Sequence, residues 1–173
     1  MIEEVRTRYG VMVEPVFPDR QEVEDMVAQR GPNLFYSSPE ARHLCCDIRK
    51  SRPLGRKLGE VRAWATGLRR EQSSTRSQVP KVEEVEGRMK LSPLADWTAA
   101  EVEEYTGQHR LLVHPLYARG FASIGCAPCT RPIQPGEDPR AGRWWWEQGS
   151  KECGIHFAED GSVRRNLLSV KNG

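Results

Sequence analysis

Apolar and polar positions follow two rhythms along this chain, one near 3.6 residues and one of two, and the punctuation between them predicts the elements. Met1 to Tyr9 reads as the last turns of an amphipathic helix stopped at Gly10. Val11-Met12-Val13-Glu14-Pro15-Val16 reads as a strand, with Pro15 marking its end or an edge. Asp19 is placed to cap a helix, with Glu22 in the capping-box position, and that helix runs to Arg30 before Gly31-Pro32. Ser38 at a cap and Pro39 at the first helical position open the next helix, whose buried stripe passes through Leu44 and Ile48 and which ends near Arg49 and Lys50. Pro53 to Glu60 is a short basic helix. Val61 to Thr66 alternates like a strand, and Gly67 permits a turn. A short strand is expected near Val82 to Glu86. Thr98 and Glu101 form a capping box for a helix reaching about Gly107, with Trp97 stapling its start to the core. The stretch from His114 to Cys129 is loop-like. Helices alternating with strands make the fold class α/β.

Composition narrows the setting. The 173 residues are 38% hydrophobic and 29% charged, enough for one globular domain with a core. The net charge of +2 gives no footprint for bulk nucleic-acid binding. No apolar run reaches the length of a membrane span, and no secretory signal is expected at the N-terminus. Five cysteines, an odd count in irregular spacing, do not read as a disulfide scaffold; a reducing cytoplasm suits them better.

The cysteines carry the chemistry. Cys126-Ala127-Pro128-Cys129 is a chelate spacing, open to zinc, a redox disulfide or an iron–sulfur cluster. The adjacent pair Cys45-Cys46 narrows that choice. Neighbouring helical side chains diverge by about 100°, so two such thiolates reach one zinc ion poorly and the corners of a larger cubane more readily. A [4Fe–4S] cluster is therefore the first reading and zinc the second, against the plain alternative of small buried side chains. Cys153 stands apart in Lys151-Glu152-Cys153-Gly154-Ile155-His156, where an unligated nucleophile would stand. The run from Leu68 to Ser77, rich in arginine and serine, follows a strand, where α/β sheets bind ligands; by composition alone it is a solvated loop. His109 and His114 read as ordinary scaffold histidines. Of Trp144-Trp145-Trp146, at least two read as packing onto the core, leaving one that could cover a ligand.

Four separated motifs carry a resemblance: Cys45-Cys46-Asp47-Ile48-Arg49-Lys50, the stretch Trp64 to Arg76, Cys126 with Cys129, and the terminal Lys-Glu-Cys-Gly-Ile-His. Together they resemble the assimilatory sulfonucleotide reductases over nearly the whole chain, and most closely the cluster-bearing adenylyl-sulfate (APS) reductase branch. The resemblance implies an adenine-nucleotide alpha-hydrolase-like (Rossmann-like) sheet with flanking helices. It also implies a sulfonucleotide reductase domain over 1–150 and a mobile tail over 151–173. The family's glycine-rich Ser-Gly-Gly-x-Asp-Ser loop has no counterpart here. The chain is therefore expected to be N-terminally truncated, with Met1 an internal methionine of a longer frame or the start of a trimmed copy.

The roles it implies are specific. Cys45, Cys46, Cys126 and Cys129 hold the cluster, which staples distant parts of the sheet. Lys50 lies between cluster and anionic substrate. Arg69, Arg70 and Arg76 contact the phosphosulfate, Gly67 lets the backbone approach the nucleotide, and Arg140, Arg143 and His156 add substrate contacts. Cys153 attacks sulfur and carries an S-sulfonate until thioredoxin or a similar dithiol releases sulfite. The expected reaction is reduction of APS to sulfite and AMP in the cytoplasm, with no nucleic-acid or membrane partner, and a homo-oligomer is left open. The rivals are reduction of phosphoadenylyl sulfate (PAPS), and a non-catalytic truncated module with a structural four-cysteine metal cage.

Overall fold

A nearly continuous helical ribbon from Ser38 to Leu58 is the spine of the molecule, a computed structural model that describes residues 1–73 and 76–147. The expected tail, with Cys153 and His156, and the domain boundary at 150 lie outside the described residues. The ribbon begins with helix α3 (Pro39–Cys46), whose Ser38 hydroxyl accepts from Ala41 N–H at 3.2 Å. It ends with α4 (Arg52–Leu58). Between them Asp47–Ser51 form a π-helical turn, in which Arg52 N–H reaches back five residues to the Asp47 carbonyl. The sequence predicts two separate helices here. Pro53 accounts for the wide turn instead: it has no N–H, and in a straight α-helix its ring would press on the Arg49 carbonyl.

Helix α1 (Ile2–Tyr9) stops at Gly10, whose φ of 65° and N–H to the Arg6 carbonyl make a left-handed cap, as expected. The expected strand over Val11 to Val16 does not form. Met12 is 77% exposed there, Pro15 removes a donor, and no described strand pairs with the stretch. Helix α2 (Arg20–Arg30) is capped by the Asp19 carboxylate, which accepts from Glu22 N–H at 3.0 Å. The capping box is half made, because the Glu22 carboxylate pairs with Arg52 on α4.

Three short strands make one sheet in the order β1-β3-β2. Strand β1 (Ala63–Ala65) runs parallel to β3 (Arg88–Leu91), and β2 (Val82–Val85) runs antiparallel to β3. The mixed α/β class is as expected, and β1 and β2 lie where the alternation puts them. Strand β3 is unforeseen, because its inward side chain at mid-strand is Lys90, 8% exposed and paired with Glu83. Glu86 and Gly87, both at positive φ (52° and 72°), turn β2 into β3, the geometry a two-residue hairpin loop requires. Helix α5 (Ala99–Gln108) has the full capping box of Thr98 and Glu101. Trp97 packs edge-on against Tyr105 of that same helix, ring centroids 5.3 Å apart, so its staple is local.

The main core lies away from the sheet. Met26, Leu34, Phe35, Ala41, Ile48, Cys129 and Trp144 form it, with Leu44, Cys45 and Trp146 against its edge. Helices α2 and α3, the Cys126–Cys129 turn and the Trp144–Glu147 segment therefore meet around the cysteines. That corrects one expectation: the cysteine pairs join α3 to a loop, and the sheet takes no part in the junction.

Candidate functional site

Two stripes run along α3 and its continuation. Ala41, Leu44 and Ile48 face the core, while Arg42, Cys45, Cys46 and Arg49 follow one another at helical spacing on the adjoining face. The Cys126–Cys129 turn closes over this second stripe. Cys129 N–H donates to the Cys126 carbonyl at 2.9 Å, and the Thr130 hydroxyl donates to the same oxygen at 2.9 Å. Tyr36, next to α3, donates its hydroxyl to the Pro128 carbonyl at 3.0 Å and so pins the loop.

Cys45, Cys126 and Cys129 share one electrostatic neighbourhood. Burial above all, then the charges of Cys126 and Cys45, push the Cys129 thiol up to about 11, and Arg143 and Arg42 oppose them. Burial likewise raises Cys45, which is countered by the charge of Arg49, raised by Cys126, and countered again by a hydrogen bond donated by Arg49. Cys45, Cys46, Cys126 and Cys129 form no disulfide among the described residues, with Cys129 buried and Cys126 exposed. Cys46 is half-buried beside Cys45. Among the described residues, no three His, Cys, Asp or Glu side chains converge on a single ion position.

A ring of cations surrounds the thiols. Arg42 and Arg143 are 2% and 7% exposed, and their guanidinium carbons sit 4.2 and 4.5 Å from the Trp144 ring centroid. Trp144 is buried, and its backbone N–H donates to the Cys129 carbonyl at 3.2 Å. Its indole Nε1 is buried without a hydrogen-bond acceptor among the described residues. An N–H donor and two guanidiniums around the buried Cys129 and the half-buried Cys45 suit an anionic thiolate-ligated group, and in that chemistry the residues present fit the cofactor expected of them. Arg42 is the residue that reading by motif passes over, while Arg49 stands inside the motif without an assigned role. Their signal is the helical spacing of 42, 45, 46 and 49.

The other expected site residues fall in two places. Lys50 lies in the π-helical turn, half-buried, one residue past Arg49. Arg143 lies inside the cysteine site, with Nη1 on the Ile124 carbonyl at 3.3 Å. Arg140 is half-buried three residues before it. The second place is the carboxyl end of the parallel strands β1 and β3, where the loops beyond them knit together. Arg70 N–H donates to the Ala95 carbonyl at 2.9 Å, and its side chain holds the Val79 carbonyl and Asp96. Arg69 reaches Glu71 at 3.2 Å and the Trp97 carbonyl at 3.4 Å, and Arg76 donates to the Gln72 side chain at 2.5 Å. All three arginines are thus also braces of their own loop. Gly67 has no positive φ, contrary to the turn expected of it, and a Cβ there would meet nothing within 4 Å.

Ordinary packing accounts for the aromatic and imidazole groups, as expected. Trp144 and Trp146 pack on the core while Trp145 is 40% exposed. His109 stacks on Tyr105, centroids 4.1 Å apart, and His114 Nδ1 accepts from Leu116 N–H at 3.2 Å. No described helix is long and apolar enough to cross a membrane.

The family model described as the phosphoadenosine phosphosulfate reductase domain matches residues 1–132. A protein of Burkholderia cepacia named adenosine 5'-phosphosulfate reductase is 54% identical over 160 residues, 91% of this chain and 64% of that one. A protein of the same name from Rhizobium tropici is 43% identical over 166 residues, 94% of this chain and 92% of that one. A crystal structure of phosphoadenylyl-sulfate (PAPS) reductase from Candida auris in a phosphate complex superposes with a TM-score of 0.58 at 27% identity, covering 73% of this chain and 61% of the other. The chain spans 64 to 66% of the length of the Burkholderia relative and of those from Sinorhizobium fredii.

Proposed function

This chain belongs to the phosphoadenosine phosphosulfate reductase domain family, and on that premise we propose that it reduces adenylyl sulfate to sulfite and AMP in assimilatory sulfate reduction. The observation that carries the reading is the junction of Cys45 with Cys126 and Cys129 in one site flanked by Arg42, Arg49 and Arg143. Relatives named for adenosine 5'-phosphosulfate point to the substrate. The adjacent pair Cys45-Cys46 beside the Cys126-x-x-Cys129 spacing supports a [4Fe–4S] cluster held by these four residues ahead of a single zinc ion. When bound, the cluster supplies a structural tie between α3 and the loop and a fixed anionic charge, while thiols supply the electrons.

The chemistry falls to Cys153. Its thiolate attacks the sulfate sulfur of adenylyl sulfate, a sulfur–sulfur bond forms, and the bond from sulfur to the phosphate oxygen breaks with its electron pair leaving on AMP. A thiolate of thioredoxin or a similar dithiol then attacks the Cys153 sulfur. Sulfite departs, and the donor's second thiol opens the mixed disulfide, so the donor is oxidised and Cys153 restored. Lys50, Arg69, Arg70, Arg76, Arg140, Arg143 and His156 would bind the phosphosulfate and nucleotide, with Gly67 giving room for them. Such thiol chemistry belongs in a reducing cytoplasm.

The test is an intact mass of anaerobically purified protein after incubation with adenylyl sulfate and no dithiol. A gain of one sulfonate group, absent in Cys153→Ser, is expected; no gain with iron and sulfide still bound refutes the reading. The Candida auris likeness favours a second reading, in which the substrate carries a 3′-phosphate. A faster adduct from phosphoadenylyl sulfate than from adenylyl sulfate would select it.

A further inference from the structure

A buried cation lies between a carboxylate and the cysteine site. Arg42 of α3 is 2% exposed, and its Nε donates to Glu147 Oε1 at 2.6 Å, across 105 positions of the chain. The Glu147 side chain is 9% exposed. The same guanidinium stacks on Trp144, its carbon 4.2 Å from the ring centroid, and the Trp144 N–H in turn holds the Cys129 carbonyl at 3.2 Å. On α3 itself, Cys45 and Cys46 follow Arg42 by three and four positions, one turn further along the same side. Arg42 thus has a carboxylate in direct contact and thiols of both α3 and the loop around it. Burial is what chiefly disfavours the Cys129 thiolate, and the charges of Arg143 and then Arg42 favour it.

A buried ion pair is a poor way to gain stability alone, since well-packed apolar side chains of similar volume hold as well or better. Its use here lies in the charge. A group ligated by four thiolates is a net anion, and in surroundings of low dielectric a nearby cation acts on it strongly. Paired with Glu147, Arg42 gives the thiols only part of its field. We propose that Arg42 is a counter-ion divided between Glu147 and the thiolate-ligated group, and that Glu147 is a positioning residue whose carboxylate holds the guanidinium on Trp144 and limits how much positive charge the group receives. The pairing spares the metal-free site the cost of a buried cation with no anion beside it, and still leaves a cation near the thiolates when the group is bound. The proposal rests on the reading that Cys45, Cys46, Cys126 and Cys129 hold an anionic cluster.

Two variants separate the charge from the fastening. Glu147→Gln keeps the shape and an acceptor oxygen but removes the charge that offsets Arg42. Arg42→Gln combined with Glu147→Gln replaces the ion pair by two neutral amides that can still bond one another. Two quantities are measured on each and on the parent chain: the urea midpoint of the metal-free protein, and the rate at which an iron chelator strips the anaerobically purified, iron-loaded protein. In metal-free protein the midpoint of Glu147→Gln should be the lowest, because the carboxylate that offsets its buried cation is gone, and the double variant should recover. Retention of iron should rank the other way. Glu147→Gln should hold its iron longest, and the double variant should lose it about tenfold faster than Glu147→Gln. Iron release that follows the metal-free midpoints overturns the proposal and makes the pair a structural fastening. Equal release from the two variants overturns it too. So does a Glu147→Gln chain that cannot be isolated with iron bound, because the bound group should itself compensate Arg42. A parent chain that holds neither iron nor sulfide overturns the cluster reading and this proposal with it, whereas the other failures leave the cluster reading standing.

Discussion

The Arg143 guanidinium lies flat against the backbone at Gly125: a Cβ built there would stand 2.3 Å from Nη2 and 2.4 Å from Cζ. Arg143 is itself wedged on the Trp144 ring and tied to the Ile124 carbonyl. Gly125→Ala must therefore expel a buried cation from beside Cys129. Gly142 is tighter in kind, because its Cβ would meet the Arg131 backbone oxygen at 2.3 Å, and backbone cannot swing aside. We expect Gly125→Ala to cost about 1–3 kcal/mol and Gly142→Ala to cost more, in urea unfolding. A Gly142→Ala cost below that of Gly125→Ala would refute the ranking.

Cys126 and Cys129 should separate cluster loss from core loss. Both would be ligands, but Cys126 is exposed and Cys129 is 7% exposed within the core. Either serine variant should fail to retain iron. In metal-free protein, only Cys129→Ser buries a new hydroxyl, at a cost of about 1–3 kcal/mol, while Cys126→Ser should be nearly neutral. Equal midpoints for the two metal-free variants in urea would show that Cys129 does not act as a core residue.

Much of this was legible in the sequence where one residue type has one physical use. Asp19, Ser38 and Thr98 announce their caps, and Gly10 its stop. What escaped was set by partners distant in the chain. Strand β3 hides because Lys90 faces inward and is satisfied by Glu83 across the hairpin. The alternation over Val11 to Val16 finds no neighbouring strand among the described residues and stays unpaired. Arg42 looks like ordinary helix charge until Glu147, 105 positions away, is placed on it.

The α5 cap gives a pH dependence of known sign. The hydrogen bonds donated by Thr98 backbone N–H and hydroxyl hold the Glu101 carboxyl below its ordinary value. A depressed carboxylate stabilises the folded state above its unfolded value and loses that contribution as pH falls through the folded one. The protection factors of the first-turn amides of α5, taken against the intrinsic exchange rate at each pH, should therefore fall as the solution is acidified through and below the usual carboxylate range. Thr98→Ala should remove about 1 kcal/mol near neutral pH and weaken that acid dependence in part, because the larger hydrogen bond to Glu101, from the backbone N–H of residue 98, remains. An acid limb in Thr98→Ala as steep as the parent's would show that the hydroxyl contributes nothing to it.

Pro53 sets the register of Lys50. The π-helical turn admits an extra residue before Arg52, and each residue added to a helix rotates one side of the insertion against the other by about 100°. Pro53→Ala restores an N–H that can bond the Arg49 carbonyl, so an ordinary α-turn can form. The variant gains a backbone hydrogen bond and loses the burial of the proline ring, and the net change in stability should stay within about 1 kcal/mol. Its effect should fall on binding instead, because Lys50, inside this turn, would be re-aimed relative to Cys45 and Cys46. Affinity for adenylyl sulfate, measured at equilibrium with Cys153→Ser in the background, should drop by about tenfold. Unchanged affinity, with the α-turn verified by hydrogen exchange at residue 53, would mean that substrate binding does not depend on where this turn presents Lys50.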